Sequence, residues 1–376
     1  MPSVMLEDRV RELIARSGHT QETFGAAIGL DSSKLSKALN GRRRFTSLEL
    51  ARIAETCDVT VDWLLSGEEG PAVAARVSAH GSAISLAVGE ASNLAESRDN
   101  VLHLGGAHDW PKPPTPQSHL WIEQGAELAE FAISHLGVPH VLDTSETFAT
   151  AIERAFGIDV RVMELDGGCD GLALSTRGGA RVLLVAATEN PTRQRFTMAH
   201  ELSHLLCGDD QGLHIDENVM AGSRGESSEV RANAFAAALL MPESALADRF
   251  DQPVVTERVF AEAVMDLKVS PSSLAWRLFN LKVLSSERRA QLGAMRTVDC
   301  AAVAERMNEY ARWVEASSQP RIPVRLVQDL FQAYVEGKTT LRPLANLLHV
   351  PVEVLRSAVE SAPQPSGADE ADDFAP

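Results

Sequence analysis

The chain has 376 residues, with 35 Lys and Arg against 52 Asp and Glu, a formal net charge of −17 at pH 7. So acidic a balance argues against indiscriminate affinity for nucleic acid, and any DNA contact has to come from a local basic patch. No run of about 18 apolar residues exists to span a membrane, and the cysteines at 57, 169, 207 and 300 form no CxxC, which argues against a disulfide framework or a cysteine zinc site.

Helical periodicity begins at Leu6–Ser17, and Thr20–Leu30 reads as a short helix ended by the turn at Gly29. Asp31 is a candidate N-cap for Ser32–Leu39, which closes at Asn40-Gly41, and further helices are expected at Ser47–Cys57 and Val61–Leu65. Across about residues 4–67 this pattern resembles the phage-repressor-like (XRE-type) helix-turn-helix. The resemblance implies a five-helix DNA-binding domain over residues 1–67, with its second motif helix in the major groove of a double-stranded operator. With Leu35 turned to the core, Ser32, Ser33 and Lys37 are the base-edge candidates. Gln21, Lys34, Arg42, Arg43 and Arg44 are the phosphate candidates. Residues 1–67 are neutral overall, yet Lys34, Lys37 and Arg42 to Arg44 cluster with no acid among residues 32–48. A protein-binding use of the same fold is the competing reading.

Residues 68–117 read as a linker. Residues 72–98 are Ala-rich and suit a helix interrupted at Gly81 and Gly89, and Pro111, Pro113, Pro114 and Pro116 make a stiff extended piece after it. Helical periodicity resumes over Ser118–Leu136 and Thr147–Phe156. Three strands are expected at Asp159–Leu165, Gly171–Ser175 and Val182–Ala187, with turns at Gly167-Gly168 and Gly178-Gly179, so the pattern predicts a short antiparallel meander.

His200-Glu201-Leu202-Ser203-His204 comes next, an HExxH in a helical context. Positions i and i+4 share a helix face, so both imidazoles can reach one metal ion. Glu201 can then take a proton from water activated there and pass it to a leaving amine. Two histidines do not hold zinc alone, and a carboxylate from a following helix is the usual supplement. Ser228–Met241 suits such a helix, free of Gly and stopped by Pro242, with small residues at 232, 234, 236 and 237 that permit close approach to the HExxH helix. Spacing leaves Glu229 and Glu226 both open as the third ligand. A metzincin pattern needs Gly at 207 and His at 210, positions held by Cys207 and Asp210, and Cys207 lies too far along the helix from His200 for all three to converge.

AHELSHLL followed by ExxANAFAAALLMP resembles the ImmA/IrrE family of zinc metallopeptidases over about residues 118–285. The resemblance implies a zincin-like domain with Zn2+ held by His200, His204 and Glu229, and with Glu201 as catalytic base. Family members cleave helix-turn-helix repressors to relieve repression. This chain departs from that pattern by carrying a DNA-binding domain itself, which leaves open whether it cuts a partner repressor, itself or nothing.

Ser270–Leu284 suggests a helix, and residues 286–361 a helical module without a basic patch, in which Leu341–Leu348 and Val352–Val359 form another helix-turn-helix-shaped pair. The acidic tail, residues 362–376, reads as disordered. The whole is mainly α with a small β-sheet (α+β). With no signal-peptide core in Met1–Ser17, the expectation is a cytoplasmic regulator with DNA and a protein substrate as partners, no membrane, and a homodimer allowed. The rival is a regulator whose metallopeptidase-like domain is a non-catalytic sensor or dimerisation platform. An oxyanion donor is not assigned: Tyr310 and Tyr334 lie outside the 118–285 segment, leaving His214 as an alternative.

Overall fold

The computed structural model describes residues 6–17, 20–57, 59, 64, 82–106, 110–137, 145–165, 169–209, 213–216, 227–247, 249–251 and 254–361. Gly81, Gly167, Gly168, Asp210, Glu226 and the acidic tail lie outside them, as does most of the fifth helix expected at Val61–Leu65.

The N-terminal unit has helices α1 (Leu6–Ser17), α2 (Gln21–Ala27), α3 (Ser32–Leu39) and α4 (Ser47–Cys57). They close on a small core of Val10, Leu13, Phe24, Ile28, Leu35 and Ile53, with Leu64 buried alongside. The α2–α3 turn is tight because Gly29 takes φ +70°, a backbone that side chains disfavour. A Cβ on Gly25 would stand 2.9 Å from the Leu30 carbonyl oxygen, so the turn folds directly onto α2.

The rest is built around one sheet, mostly surrounded by helices. Ahead of it come α5 (Ser82–His103), α6 (Trp121–Leu136) and α7 (Ser145–Phe156), then β1 (Asp159–Met163), β2 (Gly171–Ser175) and β3 (Arg181–Ala186). Helix α8 (Pro191–Cys207), β4 (Leu213–Asp216) and α9 (Ser227–Leu240) complete the centre. The chain continues through α10 (Glu243–Ala247), α11 (Glu257–Leu267), α12 (Pro271–Asn280), α13 (Ser286–Gly293) and α14 (Thr297–Val303). The last four helices are α15 (Met307–Ser318), α16 (Val324–Val335), α17 (Arg342–Leu347) and α18 (Val352–Ser361). No helix among the described residues is long and apolar enough to cross a membrane.

The expected antiparallel meander is corrected. The sheet is mixed, in the order β1-β3-β2-β4. The β2–β3 hairpin forms as read, with Leu172 opposite Leu184, but β1 runs parallel to β3, with Val160 opposite Leu183. The continuous apolar run of β3 explains the order: a strand greasy on both faces belongs in the middle of a sheet covered on both sides. Leu183 and Val185 join Val160, Val162 and Ala173 on the face toward α7 and α8. Val182 and Leu184 join Leu172 and Leu174 on the other.

The cover of that second face corrects the linker expectation. Ala87, Val88, Ala91, Leu94, Ala95 and Val101 of α5 pack on it at helical spacing, together with Leu326 and Leu330 of α16 and Leu344 of α17. Gly89 does not interrupt α5, which runs unbroken from Ser82 to His103. The segment after α5 is tied down as well: Trp110 packs against the core with the Arg181 guanidinium 3.7 Å over its ring.

The C-terminal helices likewise do not stand apart as a module. Cys300, Ala301 and Trp313 share the main core with Met198 and Leu202 of α8. Arg321 pairs backbone to backbone with Val162 (3.0 and 2.8 Å) and donates from its guanidinium to Glu153 (2.7 Å) inside the protein. Arg98 of α5 binds Asp159 of β1 (2.6 Å), and Asp329 of α16 takes the same guanidinium. Buried charges persist only when paired, and these pairs join residues 61 to 231 positions apart in the chain.

Candidate metal centre and nucleic-acid interface

Helix α8 starts with the Asn190 side chain accepting from Arg193 N–H (3.1 Å) and Pro191 in its first turn, and it stops at Gly208 in the left-handed conformation (φ 67°). It has no solvent face through its middle, because the sheet lies on one side and α9 on the other. A fully buried helix cannot carry polar groups without partners, so His200, Glu201, Ser203 and His204, all at most 2% exposed, mark a site.

The partner of the histidines is Glu229 in the first turn of α9. His200 Nε2 stands 3.2 Å from Glu229 Oε2, His204 Nε2 3.3 Å from Glu229 Oε1, and the two Nε2 atoms 3.1 Å from each other. Zinc held tetrahedrally at about 2.0–2.1 Å sets its donors about 3.3 Å apart, so the two imidazole nitrogens and the carboxylate, one of its oxygens facing each ring, stand at the separation such a site needs. Two imidazoles and a carboxylate are a donor set suited to zinc, and His200, His204 and Glu229 form a buried triad able to hold a metal ion.

Glu201 faces the sheet. A Cβ on Gly171, the first residue of β2, would lie 2.6 Å from Thr197 Cγ2 and 3.0 Å from Glu201 Cγ. Glycine at the strand start is what lets α8 lie this close. His214, the alternative oxyanion donor, sits on β4 with its backbone in register with Ala173.

Sequence reasoning missed Asp209, which comes directly after the Gly208 stop. Its Oδ2 stands 2.9 Å from His204 Nδ1, and its other oxygen takes a hydrogen bond from Arg231. A carboxylate on the far nitrogen of a metal-binding histidine fixes the tautomer and raises basicity. Burial opposes the Asp209 charge, yet hydrogen bonds from His204 and Arg231 hold its carboxyl below the usual range. Burial opposes a charged His204 too, but its bonds to Asp209 and Glu229 push the imidazole up to about 10. The surroundings thus favour a cation at this point, a proton or a metal. The available signal was an Asp five residues after the second histidine, just past a helix-ending Gly.

The small residues of α9 serve two helices. Ala232 and Ala236 are buried in the core side, whereas Ala234 meets α6, where a Cβ on Gly125 would stand 2.5 Å from the Arg231 carbonyl oxygen and 2.8 Å from Ala234 Cβ. Cys207 is partly buried against the core, as packing rather than ligation would have it.

In the N-terminal unit, Asp31 caps α3 by accepting from Lys34 N–H (2.7 Å), Leu35 is fully buried, and Ser32, Ser33, Lys34, Lys37 and Gln21 are exposed. Arg42 and Arg44 are exposed as well. Arg43 is part-buried and donates to both oxygens of Glu49 (2.7 Å each), whose carboxylate also accepts from Thr46 N–H. It holds the loop before α4.

Fold and site together define a metalloprotease-like domain with a buried His/His/Glu triad, carried with a helix-turn-helix DNA-binding domain. Residues 153–279 match the IrrE N-terminal-like domain, and residues 7–64 match a helix-turn-helix domain. A stretch of 124 residues, 32% of this chain, is 37% identical to 37% of the radiation response metalloprotease IrrE of Deinococcus radiodurans. A stretch of 123 residues, 30% of this chain, is 38% identical to 44% of the protein of the same name from Deinococcus deserti. The chain therefore matches less than half the length of these curated relatives.

Proposed function

We propose that this chain is a DNA-binding regulator whose metallopeptidase domain is a zinc-dependent endopeptidase acting on a repressor protein, or on itself. The observation that carries the reading is the triad of donors 3.1–3.3 Å apart with the buried carboxylate of Glu201 on the same helix. The two relatives, radiation response metalloproteases, support peptidase chemistry and a link to stress. DNA binding, read from residues 1–67, carries a cytoplasmic location with it. Residues 82–361 are assigned as one packed unit.

When bound, zinc supplies Lewis acidity and brings the pKa of water to about 7. Glu201, held against β2 at Gly171, takes the proton of the attacking water and returns it to the leaving amine. Asp209 holds His204 in the tautomer that leaves Nε2 free to ligate. Arg231 neutralises Asp209, so the pair adds little net charge to the site.

The test is a pair of measurements on the full chain. Elemental analysis is expected to find about one zinc per chain, with most of it lost in His200→Ala and in Glu229→Ala. Full zinc in both variants overturns the ligand set. Glu201→Gln keeps size and zinc but cannot accept the proton, so hydrolysis of the repressor is expected to collapse. If Glu201→Gln and wild type regulate the target gene identically under inducing conditions while both bind the operator, the non-catalytic platform is the correct reading.

A further inference from the structure

The proline segment after α5 lines a cavity of about 340 Å³. Pro113, Pro114, Leu128 of α6 and Leu206 of α8 give it apolar lining, and Glu127, Cys207 and Arg231 polar lining. That volume lies in the range of small-molecule sites. Arg231 is 9% exposed, donates from one guanidinium nitrogen to Asp209, meets the Cys207 thiol and lies 5.5 Å over the Trp121 ring, while its buried Nε has no hydrogen-bonded nitrogen or oxygen among the described residues. A buried N–H donor calls for an acceptor. Burial pushes the neighbouring Cys207 thiol up to about 11, so at neutral pH that sulfur brings no negative charge to the cavity.

The charges around the cavity select the occupant. Lys112 at the rim adds a second cation. Two acids stand nearby and both are engaged: Glu127 accepts from Gln117 N–H (2.8 Å), and Asp209 is shared by Arg231 and His204. The cavity therefore offers the N–H donors of Arg231 and Lys112 beside proline and leucine surface. This matches an anionic acceptor with a short apolar body.

We propose that the cavity is a binding site for a small organic carboxylate, and that its occupancy reaches the metal donor His204 through Arg231 and Asp209. The binding half stands on the cavity alone, and only the coupling half rests on the proposed metal site. A carboxylate on the Arg231 guanidinium competes with Asp209 for the same cation. Asp209 then holds His204 Nδ1 differently, and partners of this kind change metal affinity by about 10- to 100-fold when removed.

The experiment is calorimetric titration of the full chain, zinc-loaded and zinc-stripped, with hexanoate and phenylacetate, and with hexylamine as the charge control. One saturable carboxylate site per chain is expected in both forms, with none for the amine. Arg231→Met removes the anchor, and Cys207→Phe fills the cavity with a larger side chain. Each is expected to weaken binding at least about tenfold, the loss of one charged hydrogen bond or of the space itself. Absence of saturable carboxylate binding, or equal affinity in wild type and both variants, overturns the site. Zinc transfer to a chromogenic chelator then tests the coupling. Carboxylate is expected to change its rate several-fold in wild type and to leave it unchanged in Asp209→Asn, and the same rate with and without carboxylate in wild type overturns the relay. A chain that binds carboxylate but takes up no zinc removes the metal reading and leaves the cavity site standing.

Discussion

At the scale of single residues, the centre depends on one position without a side chain. Gly171 lets β2 approach α8 so closely that a Cβ there would lie 2.6 Å from Thr197 Cγ2 and 3.0 Å from Glu201 Cγ. Gly171→Ala is expected to push Thr197 and Glu201 aside by a few tenths of an ångström or more. Misplacing a reacting group by about 1 Å costs up to about 100-fold in rate, so hydrolysis is expected to fall about 10- to 100-fold while zinc content stays at the wild-type level. Steady-state kinetics beside elemental analysis checks this. A variant that loses zinc in proportion to activity would place the role of Gly171 in the fold rather than beside the carboxylate. The HExxH and the ExxAN run were legible as residues. Asp209 and Arg231 were not, because their meaning lies in a contact across 22 residues that leaves no periodicity behind.

Among the elements, α9 decides whether the third donor arrives. It is wedged between α8 and α6, and its contact with α6 runs through Gly125 against Ala234 and the Arg231 backbone. Gly125→Val is expected to part the two helices, to cost about 1–3 kcal/mol of stability by overpacking, and to weaken zinc binding because Glu229 travels with α9. Gly89→Ala in α5 is the contrast: with open space at the Cβ, it is expected to stabilise the chain by about 0.4–1 kcal/mol. Urea unfolding of the two variants side by side checks the pair, and equal destabilisation would refute the close-packing account. The meander fails at this scale as well. Local turn signals correctly joined β2 to β3, but a parallel neighbour for β3 can only come from a strand that reaches it by a longer route, and turn chemistry says nothing of that.

For the whole molecule, the two functional ends have opposite electrostatic characters. The chain is strongly acidic, and the proposed DNA contact draws on a few cations of the N-terminal unit. Arg42 and Arg44 are exposed, whereas Arg43 is bound to Glu49. Replacing Arg42 and Arg44 together by Ala is expected to weaken operator binding across sequences and to lower the slope of log K against log salt by about 2. Arg43→Ala is expected to lower the melting point of the N-terminal unit with a smaller change in slope, because it removes a partly buried pair rather than a phosphate contact. Replacing Ser33 or Lys37 is expected to change which operator is preferred. Binding isotherms at several salt concentrations check all three, and an equal loss of slope for Arg43 would return it to the phosphate clamp.

What the sequence by itself determined is local: where helices start and stop, the helix-turn-helix spacing, two histidines one turn apart on α8, and a glycine-free helix bearing Glu229 downstream. Each of these comes from side-chain chemistry within about a turn or two of backbone, and such information survives in a one-dimensional string. Only the tertiary structure decided that α5 and the C-terminal helices α16 and α17 cover the far face of the sheet rather than acting as linker and separate module. It also decided that β3 lies between β1 and β2, and that Asp209 and Arg231 stand behind His204. A sheet greasy on both faces has to be covered twice, but any sufficiently apolar helix can satisfy it. Which one does is settled by buried pairs such as Arg98 with Asp159 and Arg321 with Glu153, whose partners are 61 and 168 residues apart. An ion pair over that distance is enforced by the cost of leaving either charge alone inside the protein, a cost that exists only once the chain has folded.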